Sequence, residues 1–309
     1  MPAITVLFRN ITSEIVGLGL QHSGLAERLG YSPDAPLLIV NCDDLGSSHA
    51  ANIATYSAIT HGIATSATLM VPTPWAREAA RMFLGLPIGI HLTVTSEHAG
   101  YRWRGLTRGA SLHDAEGFLP ASAREALERL TAADVRAECQ AQIEAALSWG
   151  VDVTHLDTHM NVPQVRSDLF DVYLDLAESF RIPVRMFSLA ETTRQGFQAR
   201  ERAEARGILF NDHIIYPWPR RTRDVFFETI PHLAPGVTEI FTHPVLDGDE
   251  LRGYDRNNAD IRVHDAACLV DPSVRELLDQ HNVRRISFRD LRAAQRGIGA
   301  AGGATLTPA

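Results

Sequence analysis

Short apolar runs alternate with longer stretches of helical periodicity along most of the 309 residues. Leu37-Leu38-Ile39-Val40 is the first such run, and it ends in Asn41-Cys42-Asp43-Asp44-Leu45-Gly46. A continuous apolar run bounded by a polar turn reads as a buried strand of a parallel sheet. Residues 63–71, 87–92, 151–157, 182–187, 237–242 and 285–288 read the same way. Helical spacing fills the intervals. Ser47 or Ser48 can cap a helix carrying Ile53, Tyr56 and Ile59 that stops at Gly62. A helix follows Pro72-Thr73-Pro74 and runs through Phe83. Thr131 opens one with Val135, Cys139, Ile143 and Leu147 on a single face, ended by Gly150. Helix 167–180 has Phe170, Tyr173, Ala177 and Phe180 inward, and helices 222–234 and 272–281 precede the last two strands. Seven or so strands, each followed by a helix, predict an α/β fold of the (β/α) barrel type, TIM-barrel-like and closed or nearly so. A doubly wound open sheet uses the same right-handed crossovers, and periodicity does not separate the two.

Two stretches break the rhythm. Residues 95–125 are polar, glycine-rich and aromatic, and a loop of that length inside a compact domain is usually functional. Residues 244–260 are irregular and acid-rich. At the start, Ile15, Leu18, Leu25 and Leu29 mark a helix over 13–29, which packs on the domain or on a second subunit of a homodimer. The expected organisation is an N-terminal helical extension (1–33), one barrel domain (34–292) and a flexible tail (293–309), Ala/Gly-rich from Ala293.

Composition narrows the function classes. A net charge of −8 gives no electrostatic reason to bind nucleic acid or anionic lipid. No apolar run approaches a membrane span, and the N-terminus lacks the pattern of a signal peptide. Three scattered cysteines without a CxxC pair fit a reducing compartment, so the expected location is the cytoplasm. There is no GxSxG elbow and no P-loop, and Cys42 reads as a packed thiol rather than a nucleophile.

The remaining chemistry gathers at strand ends, where α/β folds place their sites. The first strand delivers Asp43 and Asp44, the third His91, the fourth His155, Asp157 and His159, and a late strand His243. Two adjacent carboxylates are costly to ionise together without a cation or a shared proton. Each histidine alone reads more readily as a solvated or hydrogen-bonded residue than as a ligand; their coincidence at strand ends carries the argument. Asp44, His91 and His159 form an Asp/His/His set able to hold a catalytic metal with open positions. Asp157 or His155 would support His159 through hydrogen bonds, because residues two apart on a strand share a face. Asp43 would then take a proton from a metal-bound water, and His243 could protonate a leaving amine.

These motifs resemble the YdjC-like carbohydrate deacetylase family, distant relatives of the polysaccharide deacetylases. The resemblance rests on "LLIVNCDDLG", "HGIATSATLMV", "IGIHLTV", "THLDTHMN", "EIFTHP" and "RRISFRDL", in order across about 35–292. It implies an imperfectly closed barrel, one divalent ion per chain (zinc or magnesium) on Asp44, His91 and His159, and N-acetyl hydrolysis of an amino sugar or oligosaccharide. It also implies Asp43 as base, His243 as acid, and Arg185 orienting Asp43 or binding substrate. Glu97, Tyr101 and Trp103 of the long loop are expected to form a sugar-binding lip, since flat aromatic faces pack on sugar rings. Two other readings stand beside this one: a metal-dependent hydrolase of another amide or a phosphoester, and a non-catalytic carbohydrate-binding barrel.

Overall fold

The computed structural model describes residues 24–297. Its strands are β1 (Pro36–Leu45), β2 (Ser66–Leu69), β3 (Ile88–Leu92), β4 (Val153–Thr158), β5 (His213–Ile215), β6 (Gly236–Thr242) and β7 (Arg284–Arg285). All pair in parallel, in the order β4-β3-β2-β1-β6-β5, while β7 pairs with the start of β1 at Leu37 and Leu38. Helices cover the outside, and the sheet curls into an incompletely closed barrel. Among the described residues, only two isolated bridges, Leu156 to Val184 and Val184 to Phe210, cross the gap between β4 and β5.

The expected strand at 182–187 is therefore reduced to one bridging residue. Pro183 lacks the N–H that a ladder needs. The expected strand at 285–288 is also shorter. Ser287 accepts from Arg289 N and, with Asp290, forms a capping box that opens helix Phe288–Gln295. Strand β5 and helices Leu189–Gln195, Ala199–Ala205, Asp249–Tyr254 and Ala259–Leu269 lie in stretches whose periodicity is weak. Asp249–Tyr254 and the start of Ala259–Leu269 fall inside the stretch expected to be irregular at 244–260. Leu147, expected to be inward, is exposed, whereas Val135, Cys139 and Ile143 are buried. All three cysteines are buried and unpaired.

Alternation along β1 sorts its residues. Leu38, Val40 and Cys42 pack into the main core under the helices, while Leu37 and Ile39 join Val237, Phe288 and Leu291 in a second apolar cluster. That second cluster is the floor of the barrel, and Asn41 and Asp43 continue its inward row above it. The one turn of helix Leu25–Arg28 packs there too, through Ala26 and Leu29. The rest of the helix expected over 13–29 lies outside the described residues. At the other end, helix Phe288–Gln295 reaches past residue 293, and Gln295 accepts a hydrogen bond from Leu209 N at 2.7 Å. Among the described residues, no helix is long and apolar enough to cross a membrane.

Candidate metal centre

Adjacent residues of a regular strand point to opposite faces, so Asp43 and Asp44 could not share a site on an unbroken β1. A bulge resolves this. Between Cys42 and Leu45, β1 advances three residues while β2 advances two, from Ala67 to Leu69. Asp44 sits there at φ +60°, a left-handed conformation that Asp tolerates better than most residues. Both carboxylates consequently reach the barrel mouth, each buried.

Asp44 faces two imidazoles. Its Oδ1 lies 3.4 Å from His91 Nε2 and 3.2 Å from His159 Nδ1, and accepts no hydrogen bond although it is buried. An orphaned buried carboxylate oxygen between two imidazole nitrogens is a donor set that suits a divalent cation. The other oxygen of Asp44 accepts from Arg262 Nη1 at 2.8 Å, which holds the carboxyl well below its usual range despite burial. Each imidazole is oriented from its far side. His91 Nδ1 donates to Asp157 Oδ1 at 2.7 Å, and His159 Nε2 to Glu97, both of whose oxygens lie at 3.0 Å. The two rings therefore present different nitrogens to Asp44. Burial alone would lower both rings, but Asp157 pushes His91 up to about 10, and Glu97 with Asp44 pushes His159 up to about 9. A cation bound there must displace those ring protons, so its affinity rises with pH.

Asp43 is held differently. Arg185 donates to both of its oxygens, Nη1 to Oδ2 at 2.6 Å and Nη2 to Oδ1 at 2.7 Å, and Asn41 Nδ2 adds a third bond at 2.8 Å. Burial opposes ionisation, yet Arg185 outweighs it and leaves the carboxyl lowered to about 2. Arg185 also donates to Glu239 through Nε and Nη2, and lies 3.0 Å from Asp157. Glu239 is pushed up to about 7 by burial, against the pull of Arg185, and its Oε2 has no partner among the described residues. His243 lies between Trp218 and Phe241, at ring-centroid distances of 5.2 and 5.7 Å, and its backbone N–H donates to Asp265. Burial keeps its imidazole below the usual value. All these groups line or underlie a cavity of about 940 Å³, walled by Tyr216, Trp218 and the 252–258 segment.

The structure thus brings Asp43, Asp44, His91, His159, His243, Arg185, Asp157 and Glu97 together. Five sequence-based roles are corrected. Trp103 is buried, donates Nε1–H to the Thr95 carbonyl, and belongs to the core rather than to a sugar-binding lip. Tyr101 lies outside the cavity wall and donates its hydroxyl to the Ser47 carbonyl, so it anchors the loop. Glu97 lines the cavity, but its carboxylate is turned onto His159 instead of outward. His155 does not support His159. It is buried one layer down, stacked on Phe288 at 3.8 Å, where Gly89 leaves room for its ring: a Cβ there would lie 2.4 Å from it. Asp157 does hold an imidazole of the cluster, though that of His91 rather than His159. Arg262, Glu239, Asn41 and the wall residues Tyr216 and Trp218 were not anticipated. For Glu239 the signal was present: a lone acid two and four residues before Phe241 and His243 on an otherwise uncharged strand. Arg262, on a weakly patterned helix, carried none.

Glu97→Gln is expected to weaken cation binding about 10- to 100-fold, because it loses the charged acceptor that fixes the His159 tautomer. Competition against a chelator measures this. Affinity equal to the wild type would show that Glu97 does not orient His159.

A parallel, incompletely closed β/α barrel with an Asp-His-His cluster at its strand ends, beside a clamped carboxylate, defines a class of metal-competent barrel proteins. The chain matches the YdjC-like protein family over residues 37–280 and belongs to it. It is 34% identical to a carbohydrate deacetylase of Thermus thermophilus, over 87% of this chain and 98% of that protein. It is 30% identical to a carbohydrate deacetylase of Geobacillus stearothermophilus, over 82% and 96%. The fold is shared with a crystal structure from Enterococcus faecalis V583, provisionally described as a cellobiose-phosphate cleavage protein. That likeness has a TM-score of 0.73 at 22% identity, over 83% of this chain and 99% of that one.

Proposed function

We propose that this protein is a metal-dependent carbohydrate deacetylase that hydrolyses an N-acetyl group of an amino sugar or short oligosaccharide. The observation that carries the reading is the buried, unpartnered Asp44 Oδ1 between His91 and His159, with Asp43 fixed beside it. The deacetylase relatives support the reaction class. Two imidazoles in the donor set favour a zinc-like ion over magnesium, which prefers oxygen ligands and retained water. Such an ion supplies Lewis acidity toward water and toward the acyl oxygen.

The chain's own residues do the rest. Asp43, aimed by Arg185 and Asn41, accepts the proton of the attacking water. His243 delivers a proton to the departing amine from the wall shared with Trp218. Asp157 and Glu97 hold the two imidazoles in register. The protein works in the cytoplasm in this reading, which three buried, unpaired thiols support.

The test is acetate release from a panel of N-acetylated sugars, before and after chelation and with zinc or magnesium restored. Release that chelation abolishes and one ion restores is the expected result. Turnover of phosphoesters with no acetate released from any sugar would overturn the assignment.

A further inference from the structure

Two buried arginines stand in the cavity wall, and they differ in what they leave unused. Every side-chain nitrogen of Arg185 is committed to a carboxylate: Nε to Glu239, Nη1 to Asp43, and Nη2 to both. Arg262 is pinned by only two of its nitrogens. Nε donates to Asp255 Oδ2 at 2.7 Å and Nη1 to Asp44 Oδ2 at 2.8 Å. Its Nη2 has no protein acceptor among the described residues, and the side chain lines the cavity. The Trp218 ring lies 5.7 Å from the guanidinium carbon and 5.2 Å from the His243 ring. The remaining arginines of the wall, Arg252 and Arg256, are exposed at the rim, and Arg252 is paired with Asp247 and Asp260.

We propose, on the deacetylase reading above, that Arg262 contacts the acyl oxygen of the substrate through Nη2 and stabilises the negative charge that develops there. Acyl transfer places that charge on the carbonyl oxygen, and a preorganised donor in a partly water-excluded site is worth most where charge develops. As the water oxygen bonds to the acyl carbon, the π pair of the carbonyl moves to the acyl oxygen facing Arg262, and Asp43 takes the water proton. On collapse the acyl carbonyl re-forms and the C–N bond breaks with its electron pair leaving on the amine nitrogen, which takes a proton from the imidazolium form of His243. The acid product then returns its remaining O–H proton to the neutral His243, and acetate is left against the guanidinium. Asp255 is the positioning residue in this arrangement. By fixing Nε, it holds the planar fork with one N–H directed into the cavity.

The experiment compares wild type, Arg262→Met, Arg262→Lys and Asp255→Asn, each loaded with zinc, in metal content, steady-state acetate release and acetate binding by titration. Arg262→Met is expected to lose about 100-fold in kcat/KM, most of it in kcat, at unchanged metal content. It is also expected to bind acetate at least tenfold more weakly. Arg262→Lys should recover part of both losses, and Asp255→Asn should reproduce part of them, which keeps the test open if the methionine variant folds poorly. Activity and acetate binding in Arg262→Met within threefold of wild type overturn the inference. So does loss of the metal from that variant, which would assign Arg262 to holding Asp44 alone. If instead the wild type deacetylates no sugar but still binds acetate in an Arg262-dependent way, the deacetylase reading fails and the anion contact stands.

Discussion

Asp43→Asn is expected to lower acetate release by about three orders of magnitude, within the range of a lost general base. The amide cannot take a proton from water at neutral pH, and the remaining groups do not substitute for it. Asp44 is already paired with Arg262, and Asp157 is turned onto His91 and Thr68. Bound metal should stay at one ion per chain, because the cluster of Asp44, His91 and His159 is untouched. Turnover and metal content measured on one preparation separate the two roles. Activity within tenfold of wild type would remove Asp43 from the mechanism; loss of the ion would make it a ligand.

The second large effect falls on stability. Arg185→Met leaves Asp43 and Glu239 buried without their cation, and breaking a buried ion pair by removing one partner costs about 3–5 kcal/mol. That is a sizeable part of the stability of a typical domain. The pH dependence has a definite sign. In the wild type the Asp43 carboxyl is lowered to about 2, so its contribution is present above the unfolded value near 4 and is lost as pH falls toward 2. Without Arg185, burial raises the folded carboxyls above their unfolded values, so the penalty is absent at low pH and grows as pH rises. Urea unfolding should therefore show a larger deficit at pH 8 than at pH 5. A deficit below about 1 kcal/mol at pH 8, or one that grows on acidification, would mean that Arg185 does not hold these acids in the folded state.

The apolar runs at 37–40, 87–92, 151–157 and 237–242 correspond to strands because burial on both faces leaves few other uses for such runs. Their ends marked Asp43, Asp44, His91, Asp157, His159 and His243 together, and the cavity gathers them at one mouth. Loop residues were harder. Glu97 and Trp103 are six residues apart in one polar stretch, yet one reaches His159 while the other fills the core. No periodicity distinguishes them, since a loop has none.

The resemblance to the YdjC-like family implied the incompletely closed barrel; by itself the sequence determined the β/α alternation and the donors at the strand ends. Those are local properties, written in runs of a few residues. Tertiary structure decided which partner each donor received. Asp44 meets Arg262 across 218 positions, and Asp43 meets Arg185 across 142. The bulge in β1 turns two adjacent carboxylates into one site. The short-range pattern determines which way a side chain points, but its charge partner depends on how distant segments stack around the barrel. Here those distant arginines give Asp43 and Asp44 different charge partners.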